Sequence, residues 1–227
     1  LSVLENIANL EKEIEAACQK ANRPREDVLL LAVTKTVEKE RIEQALAAGI
    51  NTFGENKAQE LVSKLVWDLP AQWHFIGSLQ SNKVRSIIDH VEMIHSLDRP
   101  SLAKEIQKRS KEKIIDCLLE INVAQEESKA GLSLDEAEVF LRNLANYPNL
   151  RIRGLMTIAP FTQDKEKLHS VFKALRLKQE ELKGLNLDYA PLDHLSMGMS
   201  NDYQIAIEEG ATIIRLGTKV FGPRENI

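Results

Sequence analysis

The sequence predicts a single (β/α)8 barrel of α/β class with one extra helix at its N-terminal end. Three observations predict it: short apolar runs alternate with amphipathic helical patterns, the runs number eight, and all eight fall within one domain's length of 227 residues. Alternating strand and helix implies crossover connections and therefore a parallel sheet. The count of eight favours closure over an open doubly wound sheet. With 43% hydrophobic and 28% charged residues the chain has the balance of one globular domain whose core needs no staple, so residues 1–227 read as one unit.

In order, the opening LSVLENIANLEKEIEAACQK is an acidic amphipathic helix, with Leu4, Ile7, Ile14, Ala17, Cys18 and Ala21 as its apolar stripe. It lacks the basic-then-apolar layout of a signal peptide. The expected strands are 28–33, 52–53, 74–76, 92–95, 114–123, 152–158, 194–197 and 212–216. Between them, Ile42, Ala45 and Leu46 precede Gly49, Asn56 stands three residues before Gln59 as a helix-start signal, and Ser133 with Glu136 forms a capping box. A longer helix is expected over Lys165–Lys183, with Leu168, Val171, Phe172, Leu175 and Leu182 on one face.

Composition excludes several function classes. Thirty basic against 34 acidic residues, a formal charge of −4, offers no polyanion-binding surface, so nucleic acid is not an expected partner. No apolar stretch approaches the roughly 20 residues of a membrane span. Cys18 and Cys117 lie far apart without C-x-x-C spacing and read as buried thiols of a cytoplasmic protein. His74, His95 and His194 lack metal-site spacing and read as hydrogen-bonded core histidines.

In such a barrel the active face is the rim at the carboxyl ends of the strands. Lys35 directly follows the apolar run VLLLAV, so its amine should rise from a weakly solvated base and be available to attack an aldehyde. Asn56, Gly77-Ser78, Asn122, Met156-Thr157 and Ser196 end other strands. After the seventh strand, Gly198 allows close backbone approach and Ser200 suits the N-cap of a short helix, while Gly217-Thr218 follow the eighth. Loops after strands 7 and 8 commonly hold phosphate in barrels, and the nucleotide fingerprints G-x-x-x-x-G-K-[ST] and G-x-G-x-x-G do not occur, so the expected ligand carries one phosphate. Arg215 interrupts the run Ile213-Ile214-Arg215-Leu216 and must find a partner inside the barrel, either a pyridine nitrogen or an acid such as Glu55 or Glu120.

The segments LLLAVTK35, FGEN56, WHFIGSLQSNK83, GLMTIAP160, LSMGMSNDYQIAIEEG210 and IIRLGTKVFGPR224 resemble the pyridoxal phosphate homeostasis protein family, over residues 28–224 and in the family's own order. The resemblance implies a barrel like the N-terminal domain of alanine racemase, with pyridoxal 5'-phosphate as an imine on Lys35. It further implies that Ser200, Gly217 and Thr218 hold the phosphate, that Arg215 faces the pyridine nitrogen, and that Asn56, Met156 and Ser196 line the ring. Thr34 stands where the family often writes Ser, which keeps a hydroxyl. The family is described as monomeric, without a demonstrated classical enzyme activity, and as controlling free pyridoxal phosphate and, indirectly, amino-acid and keto-acid pools.

Two functions from different classes follow: a cofactor-holding regulatory protein that exchanges pyridoxal phosphate with apo-enzymes, or an amino-acid racemase or decarboxylase of low activity. The expectation is the first. The sequence past Gly222-Pro223 leaves no room for the second domain from which alanine racemase draws a catalytic tyrosine, so a second base would have to be Tyr203 or another rim residue. An arginine facing the ring nitrogen cannot protonate it, which makes the ring a poorer electron sink.

Overall fold

The computed structural model describes residues 2–126 and 129–223. Eight strands, β1 (Leu29–Val33), β2 (Thr52–Glu55), β3 (Gln72–Phe75), β4 (Met93–Leu97), β5 (Ile115–Glu120), β6 (Leu150–Met156), β7 (His194–Ser196) and β8 (Ile213–Leu216), pair in chain order, all parallel. β8 closes back on β1, with Leu31 opposite Arg215 and Ala32 opposite Leu216. The helices are α1 (Val3–Lys20), α2 (Lys39–Ala47), α3 (Ala58–Leu65), α4 (Val84–Ile87), α5 (Pro100–Ser110), α6 (Glu136–Asn143), α7 (Lys165–Lys183), α8 (Tyr203–Glu208) and α9 (Thr218–Phe221). The predicted closed barrel is what forms, and each expected strand is present with ends shifted by a few residues.

Strand side chains alternate between two environments, as the two-residue period requires. One set, including Leu30, Phe53, Trp73, Ile94, Cys117, Leu119, Ile152 and Ile214, packs outward against the helices in a continuous sheath. The other is a small inner cluster of Leu31, Met93, Leu118, Met156 and Ile213 with Ile76 against it. The barrel interior holds buried polar groups besides, His95, Ser196 and Arg215 among them, so hydrogen bonding has to complete what apolar contact does not.

α1 starts with a capping box, Ser2 Oγ accepting from the Glu5 N–H while Glu5 accepts from the Ser2 N–H. It packs along α2, α8 and α9. Because α9 has only one turn, α1 supplies the cover that a full eighth helix would give. Its buried face is Val3, Ile7, Leu10, Ile14, Ala17 and Cys18. Leu4, placed on that stripe from the sequence, is instead half exposed: at about 100° round the helix from Val3 it falls beyond the edge of the arc that the others occupy.

The capping box of Ser133 with Glu136 forms as expected. The helix start read at Asn56 falls one residue later, since Lys57 is the N-cap of α3 and makes no side-chain cap bond. Cys18 and Cys117 are buried free thiols. Among the described residues no helix is long and apolar enough to cross a membrane.

Candidate functional site

Lys35 leaves the end of β1 as the first central residue of a turn closed by the Val37 N–H donating to the Thr34 carbonyl at 2.9 Å. The second central residue, Thr36, sits at φ +60°, a left-handed conformation that a β-branched side chain adopts only under constraint. The constraint is visible: the Thr36 N–H donates to Glu60 Oε1 at 2.5 Å, and its hydroxyl donates to the Lys35 carbonyl at 2.7 Å. Lys35 itself is half-buried, and its amine has no hydrogen-bond or ion-pair partner among the described residues. It shares a hollow with Val33, Gly217 and Thr218, so β1 and the loop after β8 meet at this lysine.

Arg215 lies inside the barrel and is almost fully buried. Its guanidinium donates from Nη1 to Ser196 Oγ at 2.7 Å and from Nη2 to the Thr157 carbonyl at 2.8 Å, using two of five N–H groups. Neither acid considered for it from the sequence is an ion-pair partner. Glu55 is taken by Lys64 and by the Thr34 hydroxyl, and Glu120 stays within electrostatic reach but outside hydrogen-bond distance. Burial pulls the guanidinium down to about 10, opposed by Asp202 and Glu120, so it remains charged at neutral pH.

A chain of neutral groups continues behind Arg215. Ser196 accepts from the guanidinium and shares a hydrogen bond with His95 Nδ1 at 2.9 Å, and His95 Nε2 shares one with His74 Nδ1 at 3.0 Å. Burial holds both imidazoles neutral, His74 pushed down to about 4 and His95 well below the usual range, where the Arg215 charge adds to the effect. His194 bonds Thr212 and Arg153, so all three histidines are hydrogen-bonded as expected, but His194 is only partly buried and just His74 and His95 are core positions.

On the far side of the loop, Thr218 Oγ1 donates to Ser200 Oγ at 2.9 Å, joining the loops after β7 and β8. Ser200 does not cap α8. Asp202 occupies that position and bonds the Met199 N–H instead, because it lies directly before the helix. Gly198 has φ +96°, and a Cβ there would stand 2.7 Å from the Ala206 Cβ, so glycine is what lets the loop lie on α8.

Met156 stands between Glu120 and Ser196 in the sheet register and forms part of the inner cluster. Asn56 is half-buried beside Phe75 and Ser78, and its Oδ1 is buried without a partner. Asn122, another strand-end residue, bonds the Glu126 and Lys129 carbonyls of its own loop.

Sequence reasoning passed over Lys64, weighed Glu120 only as a partner for Arg215 and Tyr203 only as a second base. Lys64, 3% exposed, is a buried cation behind β1 and β2. Glu120 lines a cavity with Ile76, Asn122 and Lys129, and burial with the nearby Asp98 charge pushes its carboxyl up to about 7 against Arg215 and Arg99. Tyr203, weighed as a second base, faces outward: its hydroxyl donates to Glu13 on α1 and Lys219 lies over its ring, 5.9 Å from the centroid. Arg224 lies outside the described residues.

The donor set fits a small ligand with a carbonyl, a ring acceptor and an oxyanion: a free amine at Lys35, unspent guanidinium N–H groups, an orphaned amide at Asn56, and paired hydroxyls at Ser200 and Thr218. The family described as alanine racemase, N-terminal domain, matches residues 6–225. A curated relative, the pyridoxal phosphate homeostasis protein of Aquifex aeolicus, is 41% identical over 230 residues, covering 99% of this chain and all of that one. Among solved structures, PipY of Synechococcus elongatus is 34% identical and covers 97% of this chain and 100% of its own. It superposes with a TM-score of 0.86 without PLP and 0.83 with PLP bound. Alanine racemase of Corynebacterium glutamicum, 16% identical with a TM-score of 0.73, covers 97% of this chain and 62% of its own and shows the shared barrel.

Proposed function

The chain belongs to the alanine racemase N-terminal domain family, together with the pyridoxal phosphate homeostasis proteins, and on that premise we propose that it binds pyridoxal phosphate as a Schiff base on Lys35 and serves the homeostasis of that cofactor. The observation that carries this reading is the meeting of Lys35, Gly217 and Thr218 around one hollow, with Thr218 tied to Ser200. It brings a free amine and the phosphate-loop hydroxyls to the same place.

When bound, the cofactor supplies an electrophilic aldehyde carbon and a phosphate anion. The chain supplies the rest. Lys35 would hold the cofactor through its amine, the nucleophile that the aldehyde carbon calls for. Ser200 and Thr218 donate to the phosphate, with the Gly217 backbone beside them. Arg215, unable to give up its proton, would face the ring nitrogen as a donor and so favour its unprotonated form. Asn56 donates or accepts at the ring edge, and Met156 and Ser196 form the wall.

The role as holder rather than catalyst draws on Tyr203, which is engaged with Glu13 outside the barrel. In this reading the protein acts in the cytoplasm as a monomer, sequesters the reactive aldehyde, and passes it to apo-enzymes, with amino-acid and keto-acid pools responding indirectly. Glu120, a carboxyl near neutrality at the mouth, favours a second reading, slow racemase or decarboxylase chemistry on amino acids.

Equilibrium dialysis with pyridoxal phosphate, followed by absorption spectroscopy and assays on individual amino acids, separates the two. Retention with the long-wavelength Schiff-base band and negligible turnover is expected. Turnover above about 1 s⁻¹ on any one amino acid contradicts the holder role.

A further inference from the structure

Lys64 sits on α3 at 3% exposure, and its ammonium is fully committed. It forms ion pairs with Glu55, which is completely buried, and with Glu60 Oε1 at 3.0 Å, and it donates to the Thr34 carbonyl at 2.5 Å. Those same carboxylate oxygens reach the two residues that flank Lys35. Glu55 Oε1 accepts the Thr34 hydroxyl at 2.6 Å, and Glu60 Oε1 accepts the Thr36 N–H at 2.5 Å. Thr34 and Thr36 are thus both tied to a cluster centred on Lys64, and only the residue between them is free.

A helix lysine normally turns to solvent; this one shares the buried face of α3 with Ala58 and Leu61. The backbone it holds is the strained one, with Thr36 at φ +60°. Strain of this kind persists only where surrounding contacts over-determine it, and the Glu60–Thr36 bond, with Glu60 itself fixed by Lys64, is such a contact.

We propose that Lys64 is a positioning residue for Lys35: with Glu55 and Glu60 it clamps the Thr34 carbonyl and the Thr36 N–H, holding the left-handed turn that presents the Lys35 amine to the barrel mouth. Lys64 touches neither Lys35 Nζ nor the ligand hollow, so it acts through the backbone. The inference rests on the reading of Lys35 as the attachment point.

The imine step is sensitive to this placement, because a reacting atom displaced by about 1 Å can lose on the order of a hundredfold in rate. Binding through the phosphate loops, to which the Lys64 cluster makes no bond among the described residues, is not. The test uses the full chain as wild type, Lys64→Met, Lys64→Arg and Glu60→Gln. Glu60 is partly exposed, so its variant keeps the test available where Lys64→Met fails to fold.

Two probes are measured on each: the affinity for 4-deoxypyridoxine 5'-phosphate, which lacks the aldehyde, and the rate at which pyridoxal phosphate gives a borohydride-trapped adduct on Lys35. The inference expects analogue affinity within about twofold of wild type, with adduct formation slowed on the order of tenfold or more in Lys64→Met, less in Glu60→Gln, and partly restored in Lys64→Arg. Folded variants that form the adduct at the wild-type rate overturn it, as do variants in which analogue affinity falls in step with adduct rate. A wild-type protein that forms no adduct on Lys35 overturns the attachment reading, and this inference with it.

Discussion

Two buried cations stand on either side of the β1 wall and are treated differently. Lys64, behind the wall, is paired with two carboxylates. Arg215, inside it, is held by a serine hydroxyl and a backbone carbonyl and backed by neutral histidines. Taking an ion out of water costs several kcal/mol, and a paired ion recovers most of that within the protein. Lys64 is therefore complete as it stands. Arg215 has no ion pair among the described residues and keeps unspent donors at the floor of the mouth, which marks the arginine as the group facing a ligand and the lysine as part of the frame.

The sharpest way to break this comparison is to remove each cation in turn. Lys64→Met leaves Glu55 buried and unpaired, and urea unfolding should show a loss of about 3–5 kcal/mol. A loss under about 1 kcal/mol would mean that Glu55 relaxes to water and that the pair frames nothing.

Next in size is a pH effect on the ligand side. The folded-state value of Glu120, about 7, lies above its ordinary value of about 4.3, so between these pH values the folded state keeps a proton that the unfolded state has released. Stability thus falls as pH rises through this window. Glu120→Gln, which does not titrate, should exceed wild type at pH 8 by up to about 3 kcal/mol and by much less near pH 4. His74 and His95 work in the opposite sense, since both stay neutral when folded and stability falls as pH drops below about 6.5. They contribute equally to both proteins, so parallel stability curves would contradict the assignment to Glu120.

Arg215→Met should change the stability of the ligand-free protein by no more than about 2 kcal/mol, because loss of the Ser196 and Thr157 bonds is offset by relief of a buried charge. Its retention of pyridoxal phosphate should fall on the order of tenfold. A stability loss equal to that of Lys64→Met would erase the distinction between the two cations. The smallest effect belongs to Ser200→Ala, which should weaken retention in equilibrium dialysis by about 1 kcal/mol or somewhat more; unchanged retention would remove Ser200 from the phosphate loops.

Lys35 and Arg215 both drew notice in the sequence, one as a charge ending the run VLLLAV and the other as a charge inside IIRL, and it was their company of other strand ends, not either residue alone, that pointed to a site. The barrel was legible because eight short apolar runs, most of whose residues are buried on both faces, alternate with helical patterns. Lys64 was not. In AQELVSKL a lysine reads as solvated, and only its spacing of three from Leu61, with Glu60 one helical turn before it, hinted at the buried face.

The left-handed Thr36 left no signal, since threonine is not a residue that favours that conformation and long-range bonds impose it. Ser200 was misplaced as a cap because serine and aspartate compete for the role and Asp202 lies nearer the helix. The Ser196–His95–His74 chain joins β7, β4 and β3 and could not be read from any one of them.

The most direct measurement is borohydride reduction of the protein incubated with pyridoxal phosphate, followed by proteolysis and mass mapping of the pyridoxyl group. The account predicts the added mass on the peptide containing Lys35, and its loss in Lys35→Ala with weak phosphate-anchored binding retained. Label on Lys57, Lys83 or another lysine, or a Lys35→Ala protein that still gives the adduct, would contradict it.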